Sequence, residues 1–331
     1  MSLQIIAEVA QGFEGKIDQS RLLIKAAAMA GADAVKFQLV FADELATPDY
    51  KYYDLFRSLE MGEETWLGLS NYAKDLGIEL FLDIFGEKSL RLSEKMNVST
   101  IKLHGTDITN IGLLELVSKS TIPNILLGAG GAYLSEIRKA LSMLSGKRVV
   151  VLLGYQGYPT PDNCNQIDRI RELKDVLTFA NVSIGFADHA DPFSEQKNTI
   201  PVVALGAGAV VIEKHLTLGK AMKLEDHESA LNPDEFLYFV KTIRACSEAM
   251  GKVFGVDDFG MSESEKEYRK MIRRHVVSKV DLKKGEKINS DQLVLKRSTI
   301  ENYIHDLEFV YGKITKRDIR ANTPITKEDI V

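Results

Sequence analysis

From Gln4 to about residue 250, short runs of β-branched and apolar residues alternate with longer segments whose apolar side chains recur every three or four positions. The short runs have the continuous apolar character of strands buried on both faces, and the long ones have the period of amphipathic helices. Strands are predicted over Gln4–Glu8, Ala34–Gln38, Glu79–Asp83, Thr100–Leu103, Asn124–Leu127, Val149–Leu153, Ser183–Phe186 and Val210–Glu213. Helices are predicted over Ser20–Ala30, Glu64–Leu76, Gly112–Ser118 and Tyr133–Leu144, with Pro233–Met250 closing the series. Such alternation describes repeated βα units around a parallel sheet. Eight units in about 250 residues match the count and size of a TIM (β/α)8 barrel. An open doubly wound sheet would be favoured by a GxGxxG turn after the first strand, but that turn reads Glu8-Val9-Ala10-Gln11-Gly12-Phe13-Glu14-Gly15.

The pattern changes after Met250. Gly255, Asp257, Asp258 and Gly260 are followed by a charged run from Glu263 to Lys270, so 251–272 reads as a partly helical linker. Beyond it, Val276-Val277, Val280, Gly285-Glu286 and Val294-Leu295 predict short strands and turns in a module over 273–331. At about 60 residues such a module is near the lower limit for a self-supporting core, so it is expected to lean on the barrel or on a second chain. Composition narrows the functional classes. With 45% hydrophobic and 27% charged residues, 8 prolines and 2 cysteines in 331 residues, the chain is that of an ordinary enzyme without a disulfide framework. The net charge of -5, with lysines interspersed among acids, gives no basic stripe for nucleic acid. No apolar run approaches the ~20 residues of a membrane span, and the start lacks a signal-peptide pattern, so a cytoplasmic protein is expected.

A parallel barrel carries its chemistry where strands end in βα loops. Strand one ends with Glu8, strand two carries Lys36 and Gln38, and strand four carries Lys102 and His104, followed by Asp107. The last two strands end in Asp188-His189 and Glu213-Lys214-His215. A single strand-end charge is usually a solvated rim residue, whereas five strands contributing to one mouth point to an anionic substrate and a metal. Lys36 and Lys102 offer compact charges for a phosphate or carboxylate. The turns at Gly105 and Gly128–Gly131 offer N–H groups for the same anion. His189 and His215, on adjacent strands, are expected to meet on one divalent ion. The lack of an evident third nitrogen or sulfur ligand favours manganese or magnesium, with carboxylate or water, over a typical zinc site.

These residues resemble the sialic acid synthases, a family that includes legionaminic and pseudaminic acid synthases and spore coat polysaccharide biosynthesis proteins. The matching strings are Ile5-Ile6-Ala7-Glu8, Ala30 through Gln38, Ile101-Lys102, Tyr158-Pro159-Thr160-Pro161, Asp188-His189, Val211-Ile212-Glu213-Lys214-His215, Asp226-His227 and Asn232-Pro233-Asp234-Glu235. Arg273-Arg274, Asp281 through Glu286 and Lys296-Arg297 are similar to the antifreeze-like (SAF) module that ends these enzymes. The resemblance implies a barrel over 1–250 and an SAF module over 273–331. It also implies condensation of phosphoenolpyruvate with a 2-acetamido sugar aldehyde, using a divalent metal.

Carried over position by position, it implies that Lys36 and Lys102 hold phosphoenolpyruvate and that His189 and His215 bind the metal. Glu8, Gln38, Asp107 and Asp226 would contact substrate or assist proton transfer. Gln156 and Tyr158 would line the pocket, and Arg297 would reach the partner's site in a homodimer that exchanges its C-terminal modules. Several positions depart from the family pattern. Gly12-Phe13-Glu14-Gly15 stands where members read Asn-His-x-Gly, Leu82-Asp83-Ile84-Phe85 replaces Ser-Thr-Pro-Phe, and Gly105 replaces a serine. Gly128-Ala129-Gly130 replaces Ser-Thr-Gly, Gln156 an asparagine, Ala187 a serine, and Ser298-Thr299 the Pro-Gly after the arginine. Two other readings fit the same residues. One is a lyase or aldolase with Lys102 or Lys214 as a Schiff-base amine of depressed pKa. The other is a sugar- or anion-binding relative without turnover.

Overall fold

The computed structural model describes residues 3–155, 157–251, 257, 259–300 and 304–331. The chain divides into two compact units, Met1–Gly251 and Lys252–Val331. In the first, eight parallel strands close into a barrel: β1 (Gln4–Ala10), β2 (Ala34–Leu39), β3 (Glu79–Ile84), β4 (Thr100–Leu103), β5 (Asn124–Gly128), β6 (Arg148–Leu153), β7 (Val182–Asp188) and β8 (Val211–His215). Closure comes from β1 pairing with β8, Gln4 beside Val211 and Glu8 beside His215. All eight predicted strands are present, with ends within two residues of expectation.

Strand side chains alternate between the barrel interior and the helical layer, and the sequence satisfies both faces. Ile5, Ala7, Val35, Phe37, Leu82, Ile84, Ile101 and Leu103 point outward into a core shared with Leu23, Ile24, Trp66 and Phe236 of the helices. Phe13, Phe37 and Trp66 form edge-on contacts with ring centroids 5.6 to 6.0 Å apart, a geometry contributing about 0.5–1.5 kcal/mol per pair beyond area burial. The inward face is layered. Ile6, Ala34, Phe81, Leu126, Val150, Leu152 and Val211 plug the barrel as a separate apolar cluster. Two positions further along five of the strands the same face carries charge, because Glu8, Lys36, Asp83, Lys102 and Glu213 follow Ile6, Ala34, Phe81, Thr100 and Val211.

Packing dictates the glycine at position 128. A Cβ on Gly128 at the end of β5 would lie 2.7 Å from the Gly105 nitrogen, so the turns after β4 and β5 touch backbone to backbone.

The second unit contains a capped helix, Glu263–Ile272, in which Ser262 Oγ accepts from Glu265 N–H and Ser262 N–H donates to Glu265 Oε2. It also has a two-stranded antiparallel sheet of β9 (His275–Ser278) and β10 (Leu293–Lys296). Its core of Val276, Leu282, Ile288, Leu293, Ile304, Val310, Ile319, Ile325 and Ile330 is small. Among the described residues no helix is long and apolar enough to cross a membrane.

Candidate active site

Five charged side chains from five strands meet inside the barrel just above its apolar plug. Lys36 is fully buried and ion-paired with Glu8, with Asp83 at 3.2 Å and with Glu213 at 3.6 Å. Lys102 pairs with Glu213 at 2.8 Å and Asp83 at 3.7 Å. Lys36 and the three acids are sealed, whereas Lys102 keeps 10% of its side-chain surface exposed. Burying such a network costs desolvation energy that an apolar core would not, so a layer like this is kept for something other than stability.

Three carboxylates share two ammonium groups, and the titration behaviour follows from that imbalance. Burial opposes charge on both lysines, but the surrounding acids override it and raise their pKa values. Burial also opposes charge on Glu213, and Lys102 and Lys36 overcome it and hold this carboxyl well below the usual range. Glu8 goes the other way: burial, with Glu213 and Asp83 adding repulsion, outweighs Lys36 and pushes it to about 7. Its Oε1 accepts from Ala10 N–H at 2.6 Å across a bulge where β1 shifts register and Ala10 adopts φ 50°.

The next layer toward the loops holds the two histidines. His189 and His215 lie with ring centroids 5.4 Å apart, and Tyr158 stands 4.6 Å from the first and 6.0 Å from the second. His189 Nδ1–H donates to the Tyr155 carbonyl at 2.8 Å, which fixes the tautomer and leaves Nε2 with its lone pair. Burial, reinforced by Lys102, pushes His189 down to about 4. Burial and the neighbouring His189 hold His215 well below its usual value. Both imidazoles are therefore neutral at physiological pH, the form that binds a divalent ion. Among the described residues no group of three or more His, Cys, Asp or Glu side chains is placed to hold a metal by itself. The pair would need water or substrate oxygens to complete a shell.

Above these layers opens a cleft of about 860 Å3 whose walls include Gln38, His104, Asp107, Tyr158 and Asp226. Gln11 ties two of them together: its Nε2 donates to Gln38 Oε1 at 2.9 Å, and its N–H donates to Asp226 Oδ2 at 3.1 Å. Burial raises the Asp226 pKa. Asp107 accepts from Asn110 Nδ2 at 2.9 Å and from Thr106 Oγ1 at 3.2 Å within its own loop. Burial also raises the Tyr158 pKa, so its hydroxyl stays protonated at physiological pH.

The sequence-predicted residues thus separate by their place in the structure. Glu8, Lys36 and Lys102 share the charged layer. His189, His215, Gln38, Tyr158, Asp107 and Asp226 gather at the mouth. Gln156 lies outside the described residues. Arg297 belongs to the second unit, where it is exposed just after β10, and among the described residues it makes no ion pair with Glu308 or another acid. Lys214 points away from the barrel interior, buried against Asp188 at 2.8 Å and the Ala190 carbonyl at 3.3 Å. Since Lys102 is held as an ammonium by carboxylates, neither lysine has the surroundings of a Schiff-base amine.

Sequence reasoning missed Asp83 and left Glu213 without a role. The signal for Asp83 was a lone charge in the otherwise apolar run Leu80 to Ile84, in register with Gln38 and Lys102 on the flanking strands.

Comparison with known proteins agrees with this architecture. The NeuB family profile matches residues 23–254, and the SAF domain profile matches 273–331. An uncharacterized protein of Methanocaldococcus jannaschii is 34% identical over 99% of this chain and 94% of its own. An N,N'-diacetyllegionaminic acid synthase of Campylobacter jejuni is 30% identical over 96% of this chain and 97% of its own. A putative spore coat polysaccharide biosynthesis protein E from Chromobacterium violaceum superposes with a TM-score of 0.82 at 25% identity, covering 100% of both chains.

Proposed function

This chain belongs to the NeuB family, and on that premise we propose that it is a nonulosonic acid synthase. It would condense phosphoenolpyruvate with a 2-acetamido sugar aldehyde and release phosphate, in surface polysaccharide biosynthesis in the cytoplasm. The observation that carries the reading is the meeting, at one barrel mouth, of a partly open lysine, Lys102, with a pair of neutral imidazoles.

In this reading Lys102, with Lys36 behind it, holds the carboxylate and phosphate of phosphoenolpyruvate. Gln38, Asp107 and Asp226 orient the sugar in the cleft, and Gln156 and Tyr158 line its wall. His189 and His215 would hold a manganese or magnesium ion, which when bound supplies Lewis-acid stabilisation to the aldehyde oxygen. The enol carbon of phosphoenolpyruvate forms the new bond to the aldehyde carbon, water adds to the electron-poor carbon left behind, and the C–O bond to phosphate breaks. Glu8, which changes charge near neutrality, is the group we assign to the accompanying proton transfer. Arg297 would come from the partner's SAF module in a two-fold homodimer, adding a positive charge and a cover to each mouth.

The test is incubation of the purified protein with phosphoenolpyruvate, manganese and a panel of 2-acetamido and 2,4-diacetamido sugars. Phosphate release and product mass are the readouts. Metal-dependent phosphate release accompanied by a nine-carbon keto acid is expected. Phosphate release without a condensation product, or none with any sugar, would refute the assignment.

A further inference from the structure

Asp83 is the most unusual member of the charged layer. It is fully buried on β3, and its Oδ2 reaches both lysines, at 3.2 Å from Lys36 and 3.7 Å from Lys102. Its other oxygen, Oδ1, is buried and accepts no hydrogen bond. An orphaned buried acceptor of this kind carries a cost of about 1–3 kcal/mol and calls for an explanation. Glu213 supplies a carboxylate for Lys102, and Glu8, once ionised, supplies one for Lys36, so with Glu8 ionised Asp83 makes the five-residue cluster net negative. Without it, two lysines and two acids would balance.

We propose that Asp83 is an internal counter-anion that competes with the anionic substrate for Lys36 and Lys102, and so sets how weakly and how selectively this site takes anions. The inference rests on the reading that these lysines bind phosphoenolpyruvate. An incoming carboxylate or phosphate meets ammonium groups that are already answered and, at the same time, the buried carboxylate of Asp83 that it must displace from them. The resulting penalty grows with the charge of the ligand, because each added negative charge is repelled by the same fixed carboxylate through a poorly screening interior. The site therefore discriminates between a highly charged phosphoester and a singly charged keto acid less than its two lysines alone would allow. Asp83 acts here through the lysines, as a positioning and specificity-determining residue.

The experiment is calorimetric titration of the metal-loaded protein, and of its Asp83→Asn and Lys102→Met variants, with phosphoenolpyruvate, pyruvate and a neutral 2-acetamido sugar. Asp83→Asn is expected to tighten phosphoenolpyruvate binding about tenfold or more and pyruvate binding by less, while leaving the sugar unchanged. In turnover the gain appears as a lowered KM rather than a raised kcat. A merely structural role would shift all three ligands together or none, and either result overturns the inference. So does weaker phosphoenolpyruvate binding in Asp83→Asn. If Lys102→Met loses the anion while Asp83→Asn binds like the parent, only the Asp83 inference falls. If Lys102→Met binds phosphoenolpyruvate like the parent, the anion-site reading falls and takes the inference with it. Should Asp83→Asn fail to fold, Asp83→Ser removes the same charge and is titrated in its place.

Discussion

Glu8→Gln is expected to make the metal-free protein more stable at pH 8, although it deletes a buried partner of Lys36. In the folded protein the Glu8 carboxyl is raised from 4.5 to about 7, first by burial and then by the repulsion of Glu213 and Asp83, with Lys36 only partly offsetting them. The native state therefore binds this proton more tightly than the unfolded chain does. Between the two pKa values stability must fall as pH rises, by about 1.4 kcal/mol per unit. A span of roughly two and a half units gives about 3 kcal/mol, absent below the unfolded pKa and fully developed above pH 7. Glutamine keeps the shape and the acceptor for Ala10 N–H but cannot ionise, so the variant lacks this slope. Urea denaturation in the presence of a chelator, at pH 5, 6, 7 and 8, measures it directly. The parent should lose about 2–3 kcal/mol more than Glu8→Gln between pH 5 and pH 8. Parallel stability profiles, or a variant less stable at pH 8 than the parent, would refute the claim that one carboxylate of the cluster is in excess.

Three further outcomes follow from the same geometry. Lys36→Met removes the ammonium shared by three buried carboxylates and should destabilise the protein by about 3–5 kcal/mol in urea at pH 7, with part of the loss recovered at pH 5 as a carboxylate takes up a proton. Manganese binding, read by electron paramagnetic resonance, should be lost in His189→Ala and in His215→Ala. In the parent, His189 should remain a competent ligand from pH 8 down to about 5 and be protonated only as pH falls through about 4. An onset of protonation-linked loss near pH 6.5 would show that the imidazole is not desolvated. Finally, mixing an Arg297→Ala chain with a Lys102→Met chain should restore one intact site per heterodimer. Two inactive parents that recover no activity on mixing would show that the module does not serve a partner's barrel.

What the sequence alone determined about this protein is what depends on local periodicity. Eight apolar runs separated by amphipathic helices lead to a closed parallel barrel because strands buried on both faces have to be covered by helices on the outside and plugged on the inside. A two-residue spacing, Lys36 with Gln38 and Glu213 with His215, puts side chains on one face of a strand wherever that strand lies. Strand-end placement and adjacency of the last two strands were enough to bring His189 and His215 together in expectation, and the structure holds their rings side by side.

The tertiary structure decided what depends on the stagger between strands and on burial, which no single strand encodes. It showed that Lys214, although flanked by two interior residues, is turned toward Asp188 and the Ala190 carbonyl. It put Asp83 within reach of lysines 47 and 19 residues away in sequence and turned a pair of substrate-binding lysines into a five-member network. It also set the charge states: burial keeps the histidines neutral and leaves Glu8 holding a proton near neutrality. A residue's type fixes its pKa in water, and only its neighbours and its distance from solvent fix it inside the barrel.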